Sequence, residues 1–314
     1  MRWRDAMAQA LYGPDGFFVR ERPADHFRTS AHASPLFAGA LARLVCQVDA
    51  ALGEPAALDL VDVGAGRGEL LEALLAALPA PVRARVRPVG VEAAARTGAG
   101  ISWRTDIPRG LTGVLLATEW LDNVPLDLAR DGRYLDPGLE PGDPLSPADA
   151  AWAARWWPAG PDDVVEIGRA RDEAWADAVA AVSAGLALTV DYGHLRGDRP
   201  SLPTATGFRH GREVLPAFDG STDITCHVAV DSAADAAGPH VLLRQRDALH
   251  RLGVDGRRPP LSLAATDPTA YVRALATAGE SAELTTPTGL GAHWWLAHPV
   301  NLDPGGLPFL TDLR

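Results

Sequence analysis

A chain of 314 residues with 47% hydrophobic and 22% charged residues has the balance of a globular protein, long enough for one large elaborated domain or a core with a sizeable insertion. A net charge of −11 argues against general nucleic-acid binding, which relies on basic patches, and no run approaches the roughly 18 apolar residues of a membrane span. All 29 basic residues are arginine, which excludes Schiff-base and phosphate-loop lysine chemistry, although a GC-rich coding sequence is cause enough for the bias.

Cys46 and Cys226 stand far apart without C-x-x-C spacing, so neither a disulfide framework nor a cysteine zinc site is expected, and no metal is. The start, Met1-Arg2-Trp3-Arg4-Asp5, lacks the apolar run of a secretory signal, so a cytoplasmic location is expected.

Residues 1–57 read as a mostly helical cap: 4–11 is one short helix, 12–18 is turn-rich, and Ser34-Pro35 opens a longer helix with Leu36, Leu41, Leu44 and Val48 at helical spacing. A core then alternates strands and helices: strand 58–63, helix 69–78, strand 86–91, a short strand near 101–103, and strand 113–118. Continuous apolar strands separated by helices predict a parallel, doubly covered α/β sheet.

Beyond it, 126–135 reads as a hairpin around Asp131-Gly132 and 136–148 as a Pro-rich loop. A helix at 149–157, an extended piece at 164–167, a helix at 172–182 and a strand at 186–190 follow. The core with its hairpin and helix insertion (126–170) is bounded at 58–194. Residues 195–240 show little periodicity and are expected to form a substrate-side excursion over the sheet's carboxyl edge. The 241–314 region is expected to hold helices at 241–252 and 268–278 and a final antiparallel strand pair, 282–286 with 293–297.

The segment Asp62-Val63-Gly64-Ala65-Gly66-Arg67-Gly68, at the end of the first strand, is a turn whose glycines let the backbone approach a ligand. A dinucleotide fold spaces its glycines as G-x-G-x-x-G so that a helix N-terminus meets a pyrophosphate. Here the pattern is Asp-x-Gly-x-Gly-x-Gly, and Asp62 repels a phosphate. A cationic, phosphate-free nucleoside such as S-adenosylmethionine (SAM) suits this turn better than NAD. Glu92, ending the second strand, is expected to accept from the two ribose hydroxyls.

Open parallel sheets bind ligands outside the carboxyl ends of their strands. The acids there are Glu92, Asp106, Glu119, Asp122 and Asp191, expected to converge on one crevice. Asp106 is placed to accept from an adenine amino group, though a solvated loop aspartate has the same sequence appearance. Glu119 and Asp122, three apart, share a face if they start a helix, and carboxylates are also favoured there by the helix dipole.

Four further segments carry a resemblance. His26-Phe27-Arg28-Thr29-Ser30-Ala31-His32-Ala33-Ser34-Pro35-Leu36-Phe37 is similar to G-D-F-x-T-S-P-E-I-S-x-x-F, and Thr118-Glu119-Trp120-Leu121-Asp122-Asn123-Val124-Pro125 to N-E-F-F-D-A-L-P. Asp191-Tyr192-Gly193-His194 is similar to D-Y-G-H, and Asp223-Ile224-Thr225-Cys226-His227-Val228 to D-L-T-A-H-V. In this order they resemble the MidA-like family of class I SAM-dependent methyltransferases, which includes a mitochondrial complex I assembly factor that dimethylates an arginine. The resemblance spans about residues 1 to 230. Ala31-His32 departs from the family's P-E pair, Thr118 from its Asn, and the loop before Asp223 and the C-terminal part look shortened and diverged.

The resemblance implies a Rossmann-like fold with a mostly parallel seven-stranded sheet, SAM as donor and S-adenosylhomocysteine (SAH) as product. It implies that Thr29 and Ser30 close over the methionine end of SAM with Ser34 capping the next helix, beside Asp62, Gly64, Ala65, Gly66, Gly68, Glu92 and Asp106 as cofactor residues. It implies an acceptor pocket with Glu119, Asp122, Asp191 and His227 in catalytic roles and Trp120, Glu166, Tyr192 and Asp223 around the substrate. A buried structural histidine accounts equally well for His227, and core or pocket-wall packing for Tyr192 and Trp120. The acceptor it implies is a protein side chain, an arginine guanidinium first. A small-molecule or peptide acceptor, and a non-catalytic assembly factor retaining the fold, remain as alternatives; the oligomeric state is not encoded in any motif.

Overall fold

A computed structural model of the chain describes residues 1–20, 34–94, 96 and 100–311. Its core is a seven-stranded sheet built from β1 (Leu58–Val63), β2 (Val86–Val91), β3 (Ser102–Arg104), β4 (Leu111–Thr118), β9 (Val182–Asp191), β15 (Val241–Arg244) and β16 (Trp294–Val300). The strand order is β15-β16-β9-β4-β1-β2-β3, with the neighbouring pairs from β3 to β9 all parallel and β16 antiparallel to both β9 and β15. This is the mostly parallel class I methyltransferase architecture that the alternation of apolar strands and helices predicts.

The pleat sorts alternate residues onto opposite faces. Leu58, Leu60, Val114, Leu116, Leu186 and Leu188 share a cluster with Phe37, Leu41 and Leu44 of helix Pro35–Ala51, Leu71 and Leu74 of helix Glu69–Ala77, and Leu249 of helix Gln245–Arg251. Val61, Val63, Leu115, Ala117 and Ala187 point the other way, onto Trp175 and Val179 of helix Arg169–Ala180 and Ala233 of helix Val230–Ala237. Helix Pro35–Ala51 starts where Ser34 Oγ accepts from Leu36 N (3.0 Å), followed by Pro35 at its first turn. Its inner face belongs to the main core, and truncating Leu41 to Ala there would cost about 2–5 kcal/mol.

The first helix, Trp3–Tyr12, does something different. With Phe17 it packs on Leu126, Leu128, Leu135, Ile224 and Cys226, so it crowns the segments inserted between the core strands. These insertions form small sheets: β7 (Pro141–Pro144), β6 (Arg133–Leu135), β5 (Asp127–Arg130) and β8 (Val165–Ile167) in that order, and β12 (Arg212–Val214), β11 (Thr206–Arg209) and β13 (Asp223–Thr225). A two-residue pair, β10 (Gly193–His194) with β14 (Val228–Ala229), runs parallel.

Three readings of the sequence need correction. Residues 241–252 are not one helix: Val241–Arg244 is an edge strand and only Gln245–Arg251 is helical, because the run Val-Leu-Leu pairs with β16 before the helical spacing begins. Residues 282–286 form no strand. Helix Pro268–Thr285 continues through them, with Ala278, Ser281 and Leu284 buried at intervals of three, so β16 pairs instead with β9 and β15. The stretches 136–148 and 195–240 are not structureless either, since the first holds β7 and the second β11 to β14 and helix Val230–Ala237. Among the described residues, no helix is long and apolar enough to cross a membrane.

Candidate active site

The turn after β1 carries its glycines for two distinct reasons. Gly64 has φ +74°, and a Cβ there would come within 3.0 Å of the Trp120 ring, so the absence of a side chain lets the indole lie against the turn. Gly68, φ +91°, precedes helix Glu69–Ala77, and its missing Cβ makes room for Ile101 and Trp103. Gly64 N and Ala65 N both donate to Val91 O (3.0 and 3.1 Å), which docks the turn on the end of β2. Gly66 N donates to Glu92 Oε2 (3.0 Å) and Ala93 N to Glu92 Oε1 (2.9 Å). Both carboxylate oxygens are thereby fixed in place and keep lone pairs for further donors. Arg96 Nε adds a bond to Gly66 O (3.1 Å), tying the segment after Glu92 to the same turn.

A cavity of about 580 Å³ opens at this edge of the sheet, within the usual range for small-molecule sites. Asp62, Gly64, Ala65, Gly66, Glu92, Asp106, Glu119 and Trp120 line it, as the sequence predicts, and Asp106 is exposed at its rim. Gly68 supports the turn from behind the wall. Thr29 and Ser30 lie outside the described residues. The walls include six carboxylate residues, Asp62, Glu69, Glu92, Asp106, Glu119 and Asp177, and among the described residues no arginine or histidine lines them.

Asp62 is 2% exposed, and its Oδ1 has no hydrogen-bond partner. Burial, then the nearby Glu92 and Glu69 charges, push its carboxyl up to about 8. Burial also raises Glu92, against the backbone N–H groups that favour its charged form. An orphaned acceptor on the floor, a turn open to close approach and a fixed carboxylate at the end of β2 fit a phosphate-free, cationic nucleoside. A pyrophosphate would meet like charge on every side.

Glu119 leaves β4 with φ +50°, a left-handed conformation that non-glycine residues adopt at a cost of about 1–3 kcal/mol and that clusters at working sites. The expectation of a helix at 119–125 is met only by a single 3-10 turn, Leu121–Asn123. Glu119 and Trp120 therefore face the cavity while Asp122 points inward. Its Oδ2 accepts from Tyr192 Oη and its Oδ1 is buried without a partner.

The remaining acids are not brought to the cavity wall. Asp191 Oδ2 accepts from Leu121 N (3.0 Å) and Asp122 N (3.2 Å), and its Oδ1 from Tyr192 N (2.9 Å), so it caps the turn. Asp223 Oδ1 accepts from Asn123 Nδ2 (2.8 Å). Glu166 holds Thr204, accepting from its N (2.7 Å) and lying 2.8 to 2.9 Å from its Oγ1, while Thr204 Oγ1 accepts from His227 N (2.8 Å). Burial raises the carboxyls of Asp122, Asp191, Asp223 and Glu166 alike. His227 sits exposed with its ring edge-on to Tyr192 (5.2 Å), and Tyr192 in turn lies against His293 (5.6 Å).

Sequence reasoning missed three contributors. Tyr12 and Phe18, from the N-terminal segment, line the cavity; their rings stack at 5.4 Å and Tyr12 Oη donates to Asn123 O (3.2 Å). Aromatic residues in an otherwise turn-rich stretch were the available signal. Arg171 is 1% exposed, yet its helix, rich in Arg, Asp and Ala, reads as a solvated surface.

Fold and turn together define a class I methyltransferase: the strand order, the glycine turn after β1 and the acid after β2 all serve one nucleoside site. Residues 40–243 match the family model described as “Putative S-adenosyl-L-methionine-dependent methyltransferase”. The chain belongs to that family, and is a SAM-dependent methyltransferase with SAM as its cofactor. Similar solved structures include two from Burkholderia thailandensis. One, described as a candidate methyl transferase bound to S-adenosyl-homocysteine, is 23% identical with a TM-score of 0.80. The other, described as uncharacterized and in native form, is 22% identical with a TM-score of 0.79. Each match covers 99% of this chain and 90% of the other, and at these identities the likeness speaks to the fold. No match was found among curated proteins.

Proposed function

We propose that the chain methylates a cationic nitrogen on a protein, an arginine guanidinium being the acceptor that the MidA-like segments imply. The observation that carries this reading is the cavity wall, with six carboxylate residues and, among the described residues, no basic side chain. Trp120, Tyr12 and Phe18 add aromatic faces, on which a guanidinium stacks favourably. The Burkholderia thailandensis relative bound to S-adenosyl-homocysteine supports placing the donor at the glycine turn.

SAM supplies an electrophilic methyl group on a sulfonium, and its positive charge is lost as the methyl leaves sulfur. Within the chain, Asp62, Glu92 and the turn hold the donor. Glu119 holds the acceptor through charge-assisted hydrogen bonds and takes the proton that the attacking nitrogen gives up. Alignment of the two reactants is worth about 7–11 kcal/mol, whereas a general base contributes about 10²–10⁴-fold. The strained Glu119 backbone, fixed directly after β4, is therefore assigned mainly to alignment.

Incubation with labelled SAM tests the acceptor. Label in guanidinium-bearing peptides or proteins is expected; label confined to small metabolites would overturn the protein acceptor. Glu119→Gln is expected to retain SAH binding and lower kcat by at least about 10²-fold. Loss of binding and turnover together would remove Glu119 from the acceptor side.

A further inference from the structure

Arg171 brings a guanidinium into the interior, and its hydrogen bonds end on main-chain carbonyls. Nε donates to Val124 O (3.0 Å), Nη1 to Cys226 O (2.9 Å) and His227 O (3.0 Å), and Nη2 to Asp122 O. Two of these carbonyls belong to the segment Glu119–Pro125 and two to the segment 223–228. The first segment has one 3-10 turn as its only regular structure, so its polar groups need partners from elsewhere. Asp191 satisfies its N–H groups at Leu121 and Asp122, while Arg171 satisfies its C=O groups at Asp122 and Val124. One carboxylate and one guanidinium thus hold the two polar sides of the loop that carries Glu119 and Trp120.

We infer that Arg171 is a positioning residue for methyl transfer, clamping the Glu119–Pro125 segment to the 223–228 insertion so that Glu119 faces the donor. The planar fork is what the geometry uses: it reaches two segments with donors in fixed directions, which a lysine ammonium at the end of a flexible stem does not reproduce. The buried charge is balanced through space by Asp122, Asp191 and Glu166, each of which it favours in ionised form. A second consequence is that the insertion and the catalytic loop move as a unit. The inference rests on Glu119 standing on the acceptor side.

The test compares Arg171→Met, which removes charge and fork, with Arg171→Lys, which keeps the charge. SAH affinity is expected to stay within about threefold in both, because the turn 64–68 and Glu92 make no bond to Arg171. Amide hydrogen exchange at 119–125 and 223–228 is expected to accelerate at least about tenfold in Arg171→Met, with β1 and β2 unchanged. With a guanidinium peptide as substrate, kcat is expected to fall by about 10²-fold with KM for SAM unchanged, since a displacement of about 1 Å costs that much. Arg171→Lys is expected to recover part of the exchange protection and part of kcat. Native exchange at 119–125 in Arg171→Met, or acceleration spread over the whole sheet, overturns the inference. If Arg171→Met does not fold, wild-type exchange and kcat in Arg171→Lys overturn it. Should the wild-type protein leave the peptide unmethylated, the acceptor reading fails while SAH affinity and exchange still judge Arg171.

Discussion

Gly64→Ala is the sharpest probe of the turn, because two separable costs meet there. An alanine at φ +74° costs about 1–2 kcal/mol from its Cβ, and stiffening the unfolded chain returns about 0.4–1 kcal/mol, leaving a net loss near 1 kcal/mol. The added Cβ also lies 3.0 Å from Trp120 Cδ1 and 3.4 Å from its Cβ and Cγ, so the indole must shift by a few tenths of an ångström. Gly110 supplies the control: its φ is +78°, and a Cβ there meets nothing within 4 Å. Both variants should lose stability through the backbone, about 2–4 °C in Tm for each kcal/mol in a large domain. Only Gly64→Ala should displace Trp120 into the cavity and weaken SAH binding, by at least about tenfold, or roughly 1.4 kcal/mol. Calorimetric titration of SAH alongside thermal melts of the two variants makes the measurement. Equal Tm losses with native SAH affinity in both would refute the argument that the turn and Trp120 share a wall of the donor site.

Asp62 makes donor binding and stability depend on pH. Its folded carboxyl, at about 8, lies above the usual value of about 3.9, so its stabilising contribution is complete below pH 4 and is lost as pH rises through 8. Asp62→Asn should flatten that part of the Tm profile of the unliganded protein. At pH 7 a cationic ligand should drive Asp62 to ionise and release a proton, so that SAM-binding enthalpies differ between phosphate and Tris buffers; buffer-independent enthalpies would show that Asp62 does not face the cation. Tyr192→Phe leaves both oxygens of the buried Asp122 carboxylate without a donor and should destabilise by about 1–3 kcal/mol in denaturant titration, and an unchanged midpoint would show that the bond carries nothing. Thr204→Val strips Glu166 of its hydroxyl partner, and limited proteolysis should cut within 195–215 faster than in the wild type; equal rates would exclude Glu166 as the anchor of that insertion.

The parts of the fold legible in the sequence are those where one signal has one meaning. The run Leu58–Val63 is apolar at both parities because the strand is covered on both faces, and the glycines after it announce the turn. The parts that misled carry signals shared by two structures. Val241-Leu242-Leu243 fits a helix start as well as an edge strand, and only pairing with β16 decides between them. Ala282-Glu283-Leu284 fits a short strand until the buried spacing of the long helix is seen. At the site, Asp62, Glu92 and Glu119 are legible because they terminate strands. Arg171 is not, since its helix has a low contrast of faces and nothing local says that its guanidinium is buried under the carbonyls of two distant loops.

Placing an acid at the carboxyl end of a strand settles its neighbourhood and leaves its duty open. Asp62, Glu92, Asp106 and Glu119 line the cavity, whereas Asp122, Asp191, Asp223 and Glu166 are buried behind it and bonded to protein groups. The difference follows from what lies one or two residues further on. Glu119 turns left-handed and is left facing the cavity, while the 3-10 turn that follows rotates Asp122 inward onto Tyr192. Buried carboxylates of the second kind cost desolvation, which is tolerable only with N–H and O–H donors aimed at them and a cation nearby. Arg171 is that cation, and its own bonds go to carbonyls, so its charge is shared among three acids while its geometry fixes the loop. The acceptor side is therefore rigid because of charges that never touch the acceptor. Substitutions at Asp191 or Arg171 should accordingly appear in kcat through Glu119, and leave the donor bound.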